Sequence, residues 1–141
     1  MVRLRAAVGE RSELLRRVTM FADCSRRELA AVVSVAREVR VPSGSVILAQ
    51  GSVGDRFFVL AEGLAHVHVD GHPVASVGPG TLFGEMALIE RAPRAASVIA
   101  ELPCRLLEFR GEDFPTLQAI PSVSDKVLQQ MSQRLRAANV R

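Results

Sequence analysis

A chain of 141 residues with a formal charge of +3 is long enough to bury one hydrophobic core and too short for two ordinary domains. Hydrophobic residues make up 48% and charged residues 23%, which excludes an intrinsically disordered chain. The basic residues are almost all arginines scattered from Arg3 to Arg141, so no cluster marks a nucleic-acid face, and no apolar run reaches the length of a signal peptide or membrane span.

Residues 1–11 carry little pattern and are expected to be flexible; a single domain is expected over 12–137. Leu14, Leu15, Val18 and Phe21 recur at helical spacing and predict a short amphipathic helix ending near Met20. Ser25 followed by Glu28 has capping-box spacing, and Leu29, Val32, Val33 and Ala36 form the apolar stripe of the next helix. The helical segment therefore covers 12–38. At Val39 the apolar period changes from about 3.6 to about 2. Short segments around Val39–Val41, Val46–Gln50, Phe57–Leu60, Val67–Val69, Pro73–Val77, Ala95–Glu101 and Cys104–Phe109 read as strands. Glycine-bearing turns separate several of them, and Asp70-Gly71 is a strong hairpin signal because both positions tolerate positive φ. From Gly111 the helical period returns, first through Leu117 and Ile120, then along a terminal helix with Val123, Val127, Leu128, Met131 and Leu135 on its apolar face. The expected fold is α+β: an antiparallel, jelly-roll-like β-roll over 39–110, flanked by N-terminal helices and by C-terminal helices over 111–137.

Catalytic chemistry finds no support. His66, His68 and His72 gather at one hairpin but lack a cysteine or acidic cluster beside them, so they read as polar strand positions, with no metal expected. There is no G-x-S-x-G, no Walker-type glycine-lysine motif and no G-x-G-x-x-G opening a helix after a strand. Neither an enzyme nor a cofactor is predicted. Cys24 and Cys104 are expected as reduced thiols in a soluble, cytoplasmic protein.

One stretch stands apart: Phe83 to Val98, FGEMALIERAPRAASV. Gly84 lets the backbone approach a ligand closely, and the segment after it suits one short helical turn, whose free N–H groups favour an anion. Pro93 fixes the backbone before Arg94, whose guanidinium can grip a phosphate bidentately. Glu85 is unsuited to a phosphate but suited to accept from a sugar hydroxyl. A phosphate plus a ribose hydroxyl describes a nucleotide; a plain Glu85–Arg94 ion pair holding a loop explains the same two charges, and an ion-pair partner for Arg94 is expected on either reading.

The same segment closely resembles the phosphate-binding cassette of cyclic nucleotide-binding domains, the modules of protein kinase A regulatory subunits, cyclic-nucleotide-gated channels and catabolite activator-type regulators. The resemblance extends through PSGSVILAQG, GDRFFVLAEG, GPGTLFGE, DFPTLQAIP and SQRLR, from about Leu14 to Arg136. It implies that Glu85 binds the ribose 2′-hydroxyl and Arg94 the cyclic phosphate. Phe83, Gly84, Met86, Ala87, Ala95, Ala96 and Ser97 would complete the pocket. Relatives selective for cGMP typically carry threonine after the arginine, so Ala95 implies cAMP over cGMP. A residue of the last helix is expected to cap the base: Arg134 by stacking its guanidinium plane, with Leu135 or Arg136 as alternatives. The function implied is a cAMP sensor that couples ligand binding to movement of its flanking helices. Its effector domain or partner protein is not legible; the alternatives to this reading are a ligand-sensing fragment of a transcription regulator or ion channel, or a degenerate domain that binds no nucleotide and serves protein association.

Overall fold

The computed structural model describes residues 2–4 and 15–139, excepting the side chains of 2–4, 88–90 and 135–139. Residues 15–17 are helical and lead into a 3-10 turn at Thr19–Phe21, close to the predicted end near Met20; residues 12–14 lie outside the description. Helix α1, Arg26–Val35, starts where predicted, because Ser25 and Glu28 form the reciprocal capping box. The Glu28 amide donates to Ser25 Oγ (3.1 Å) and the Ser25 amide donates to Glu28 Oε1 (2.8 Å). Leu29, Val32 and Val33 are buried, and Ala36 leaves helical geometry with ψ 144.

Among the described residues there are nine strands: β1 Val2–Leu4, β2 Arg37–Val41, β3 Val46–Leu48, β4 Arg56–Glu62, β5 Ala65–Val69, β6 His72–Val77, β7 Leu82–Phe83, β8 Ser97–Ala100 and β9 Cys104–Arg110. They form two antiparallel sheets, ordered β1-β2-β9-β4-β7 and β3-β8-β5-β6. Strand β1 corrects one expectation: residues 2–4, read as part of a flexible terminus, pair with Arg40, Val39 and Glu38 of β2. Three residues are too few to show a period, so no sequence signal marked them. The β5–β6 turn forms as predicted, with Asp70 at φ 52 and Gly71 at φ 81.

The neighbouring strands β4 and β9 are buried on both faces, which explains why β4 reads as an unbroken apolar run. Phe57 and Val59 face a layer shared with α1 and the C-terminal helices; Phe58 and Leu60 face the space between the sheets. Strand β9 divides in the same way, Leu107 and Phe109 on one side, Cys104 and Leu106 on the other. Phe57 stacks on Phe109 at 5.1 Å and meets the edge of Phe114 at 5.2 Å. These contacts seat the C-terminal elements, a 3-10 turn at Gly111–Asp113, α3 Phe114–Gln118 and α4 Pro121–Asn139, on the back of the roll. On α4, Val123 and Val127 are buried and Met131 packs partly, whereas Leu128 is 60% exposed and does not belong to the apolar face assigned to it.

Cys24 and Cys104 are free and buried. Burial, reinforced by Glu28 and Asp23, pushes the Cys24 thiol up to about 11, which removes thiolate character near neutral pH. Among the described residues, no helix is long and apolar enough to cross a membrane.

Ser25→Ala removes the side-chain acceptor at the start of α1. It should cost about 1 kcal/mol and lower the thermal midpoint by roughly 4 °C, read by circular dichroism melting.

Candidate functional site

The site is built where β7 leaves the roll. Gly84 takes φ +90, a left-handed conformation that a side chain would strain, and so turns the chain into the short helix α2, Glu85–Glu90. Arg91, at φ 52, ends it, and the Ala92 amide closes back onto the Ala87 carbonyl at 3.1 Å. The return passage carries Arg94, which is only 5% exposed.

Arg94 is held by carbonyls. Its Nη1 donates to the Gly84 carbonyl (3.0 Å) and its Nη2 to the Arg56 carbonyl (2.7 Å). Its own amide donates to Ser52 O (2.9 Å), and its carbonyl accepts from the Gly51 amide (2.7 Å). The guanidinium lies against two glycines: a Cβ on Gly54 would sit 2.5 Å from Nη2, and one on Gly84 3.2 Å from Nη1. Burial lowers the Arg94 pKa, an effect partly opposed by the charges of Asp55 and Glu85.

Glu85 is 1% exposed and pairs not with Arg94 but with Arg134 of α4, whose Nη1 donates to Glu85 Oε1. The expected ion pair inside the cassette is therefore absent: neighbouring carbonyls take the bonds Arg94 would have given a carboxylate, and a distant helix supplies the cation for Glu85. Arg134 Nη2 donates to the Leu82 carbonyl. One turn earlier on α4, the Gln130 amide grips the same segment: Nε2 donates to Gly80 O (2.8 Å) and Oε1 accepts from the Leu82 amide (2.9 Å). The second carboxylate oxygen, Glu85 Oε2, is buried and has no hydrogen-bond partner among the described residues.

Between the roll, the cassette and α4 lies a cavity of about 480 Å³, within the size range of small-molecule sites. Leu48, Val67, Ala75, Ser76, Val77 and Val98 form its roll side; Gln130, Gln133 and Arg134 form its helix side. Phe83, Gly84, Met86, Ala87, Arg94, Ala95 and Ala96 line it as the sequence placed them. Two candidates do not. The Ser97 hydroxyl accepts from the Gln50 amide at 2.8 Å and serves the strand pair, not the cavity. Glu85 is not among the lining residues; its buried carboxylate pairs with Arg134, which is. Arg134 itself, expected to cap a base, is held at Glu85 and Leu82; the Leu135 and Arg136 side chains lie outside the described residues. His66 faces Glu101 at 3.5 Å, and among the described residues no group of three or more His, Cys, Asp and Glu is placed to hold a metal ion.

A match to known families decides what this geometry belongs to. Residues 38–119 fit the model of the cyclic nucleotide-binding domain, more than half of the chain. The chain belongs to the cyclic nucleotide-binding domain family. Its relatives include a cyclic nucleotide-gated potassium channel of Rhizobium etli, 36% identical over 82% of this chain and 32% of the channel. Another is a cAMP-dependent protein kinase regulatory subunit of Yarrowia lipolytica, 39% identical over 62% of this chain and 23% of the subunit. The regulatory domain of Toxoplasma gondii PKA, solved with cAMP, superposes with a TM-score of 0.73 at 29% identity, covering 89% of this chain and 50% of that one. The chain thus spans about a third or less of the length of those two curated relatives.

The family's antiparallel roll with flanking helices is the architecture found here. Gly54, Arg56 and Gln130 escaped the sequence reading. Gly54 and Arg56 act through absent bulk and a backbone carbonyl, neither of which a side-chain motif reveals; Gln130 carried one signal, its four-residue spacing from Arg134.

Gly54 is not in the left-handed region, so alanine there is resisted by contact alone. Gly54→Ala should drive the Arg94 guanidinium off the Arg56 carbonyl and cost about 1–3 kcal/mol in urea unfolding, with the Arg94 Nε–H resonance shifted.

Proposed function

We propose that the cavity binds a cyclic nucleotide, cAMP in preference to cGMP, and that the domain is a non-catalytic, cytoplasmic sensor within a larger assembly. The observation that carries this reading is Arg94: a buried cation on the cavity wall with no carboxylate in contact and two of its five N–H donors given to carbonyls. A desolvated positive charge kept in this way favours an anion that arrives from the cavity, and the guanidinium fork suits phosphate oxygens. The largely apolar roll side, with Val67, Ala75 and Val98, suits the flat face of a base. Glu85 is the acceptor for the ribose hydroxyl, and Ala95, which offers a methyl where a guanine-reading hydroxyl would stand, favours adenine. Relatives named for cAMP, the Yarrowia lipolytica subunit and the Toxoplasma gondii domain, support the same ligand. A domain that has lost its nucleotide is disfavoured, because it would have no need to keep this arginine desolvated beside an open cavity.

Isothermal calorimetry tests the assignment. Arg94→Ala should weaken cAMP binding by about 100-fold or more, and Arg94→Lys, which keeps the charge but not the fork, by roughly 10-fold, with the circular dichroism of the fold retained. Unchanged affinity in both variants would remove the phosphate from Arg94. Ala95→Thr should narrow the preference for cAMP over cGMP by about 5-fold or more, from one added hydrogen bond.

A further inference from the structure

The cation at Arg94 and the apolar roll side of the cavity lie on different pieces of chain, and Gln50 is bonded to both. Its backbone amide donates to Ser97 Oγ at 2.8 Å, on the strand that follows Arg94. Its side chain meets the β5–β6 turn reciprocally: Nε2 donates to Asp70 Oδ1 (3.0 Å), and Oε1 accepts from the Asp70 amide (2.8 Å). The adjoining Gly51 amide and Ser52 carbonyl hold the backbone of Arg94 itself. The turn needs such a hold. Pairing of β5 with β8 ends at His68 and Ser97, whereas its pairing with β6 runs on to Val69 and His72, so the hairpin tip extends past the sheet as a two-stranded ribbon. Such a ribbon is marginal by itself. This one is also interrupted by a register shift at Val67 and His68, and it turns through Asp70 at φ 52. The same two strands carry Val67, Ala75, Ser76 and Val77 of the cavity wall, while neither Gln50 nor Asp70 is among the lining residues.

Resting on the cAMP reading, we propose that Gln50 is a positioning residue for the ligand: with Asp70 it sets the spacing between the phosphate grip at Arg94 and the base wall on β5 and β6. A nucleotide lying across the cavity touches both walls at once, so its affinity depends on the distance between them as well as on each wall alone. The Arg94 side is fixed by backbone groups of Gly51, Ser52, Arg56 and Gly84. The hairpin side is fixed at its outer end by Gln50. Without that clasp the tip is free to shift, and binding has to order it, which costs affinity while every contact made directly with the ligand is kept. A carboxamide suits the task because it offers a donor and an acceptor side by side, matching the carboxylate and the backbone amide of one residue.

The test is a complementary swap, with two ligands titrated into the whole chain. Gln50→Glu removes the donor and sets a second carboxylate against Asp70, so calorimetry should show cAMP binding weakened about 5-fold or more. Asp70→Asn alone keeps an acceptor for Nε2 and should leave the affinity within about 2-fold of the unaltered chain. The double variant Gln50→Glu with Asp70→Asn rebuilds the pair with donor and acceptor exchanged, and should recover the affinity to within about 2-fold. Gln50→Ala, which deletes the clasp without adding charge, should weaken cAMP about 3-fold, should not be rescued by Asp70→Asn, and covers the case in which Gln50→Glu folds poorly. The second ligand is ribose 3′,5′-cyclic phosphate, which lacks the base and is followed through the Arg94 Nε–H resonance. Its affinity should be the same in Gln50→Glu and Gln50→Ala as in the unaltered chain, whereas a general loss of fold stability would weaken both ligands. Unchanged cAMP affinity in both Gln50 variants, no rescue in the double variant, or equal losses for the two ligands overturns the positioning role and leaves the nucleotide site standing. No cAMP binding by the unaltered chain overturns the nucleotide reading and the positioning role together.

Discussion

Everything at the cavity depends on how one guanidinium is kept out of water. Arg94 is tied by its side chain to the carbonyls of Gly84 and Arg56, and by its backbone to Ser52 and Gly51. Three of those bonds join the cassette to Gly51, Ser52 and Arg56, at the approach to β4 and its first residue, and the fourth, to Gly84, closes the cassette on itself. A desolvated cation is costly to hold, and the structure offsets that cost with carbonyl dipoles and the nearby charges of Asp55 and Glu85 in place of a paired carboxylate. At Gly54 the guanidinium occupies the space a side chain would take, whereas Gly84 is required first by its φ of +90. The position of the charge is thus set by backbone groups.

The frame behind it is the pair β4 and β9 of the five-stranded sheet, with apolar layers on both faces. Phe57 and Phe109 connect the back layer to Phe114, while Phe58 stacks on Phe83 at 5.5 Å in the front layer, directly before Gly84. The same strand therefore supports the C-terminal helices with one face and the cassette with the other. That geometry gives a displacement at the cassette a short, packed route to the helices, in keeping with how closely packed interiors carry shifts between discrete arrangements.

The sequence disclosed most of this frame and less of the site's wiring. Alternation, the Asp70-Gly71 turn and the Ser25–Glu28 box mark their elements because each is a local pattern with a local cause. The cassette was legible as a set of residue types, and most of its members do line the cavity. What could not be read was partnership. Glu85 and Arg94 are nine positions apart and opposite in charge, which makes an ion pair the natural expectation, yet tertiary packing brings Arg134 to the carboxylate from 49 positions away. Ser97 went to the Gln50 amide for a similar reason: a backbone donor left at the end of β3 needs an acceptor, and the nearest hydroxyl supplied it. Leu128 fits a helical period but lies at the margin of the stripe, where no opposing surface meets it.

The division of α4 into an apolar inner half and a polar outer grip has an evolutionary consequence. Inner positions such as Val123 and Val127 are bound to the core, so change there is penalised through stability. Gln130 and Arg134 sit on a surface helix and touch mainly backbone groups and one carboxylate, so single replacements there leave the core and most of the cavity wall intact. A lineage can therefore change how the outer helix is held against the roll by drifting at two positions. The seating of that half-helix becomes a trait that selection adjusts separately from folding.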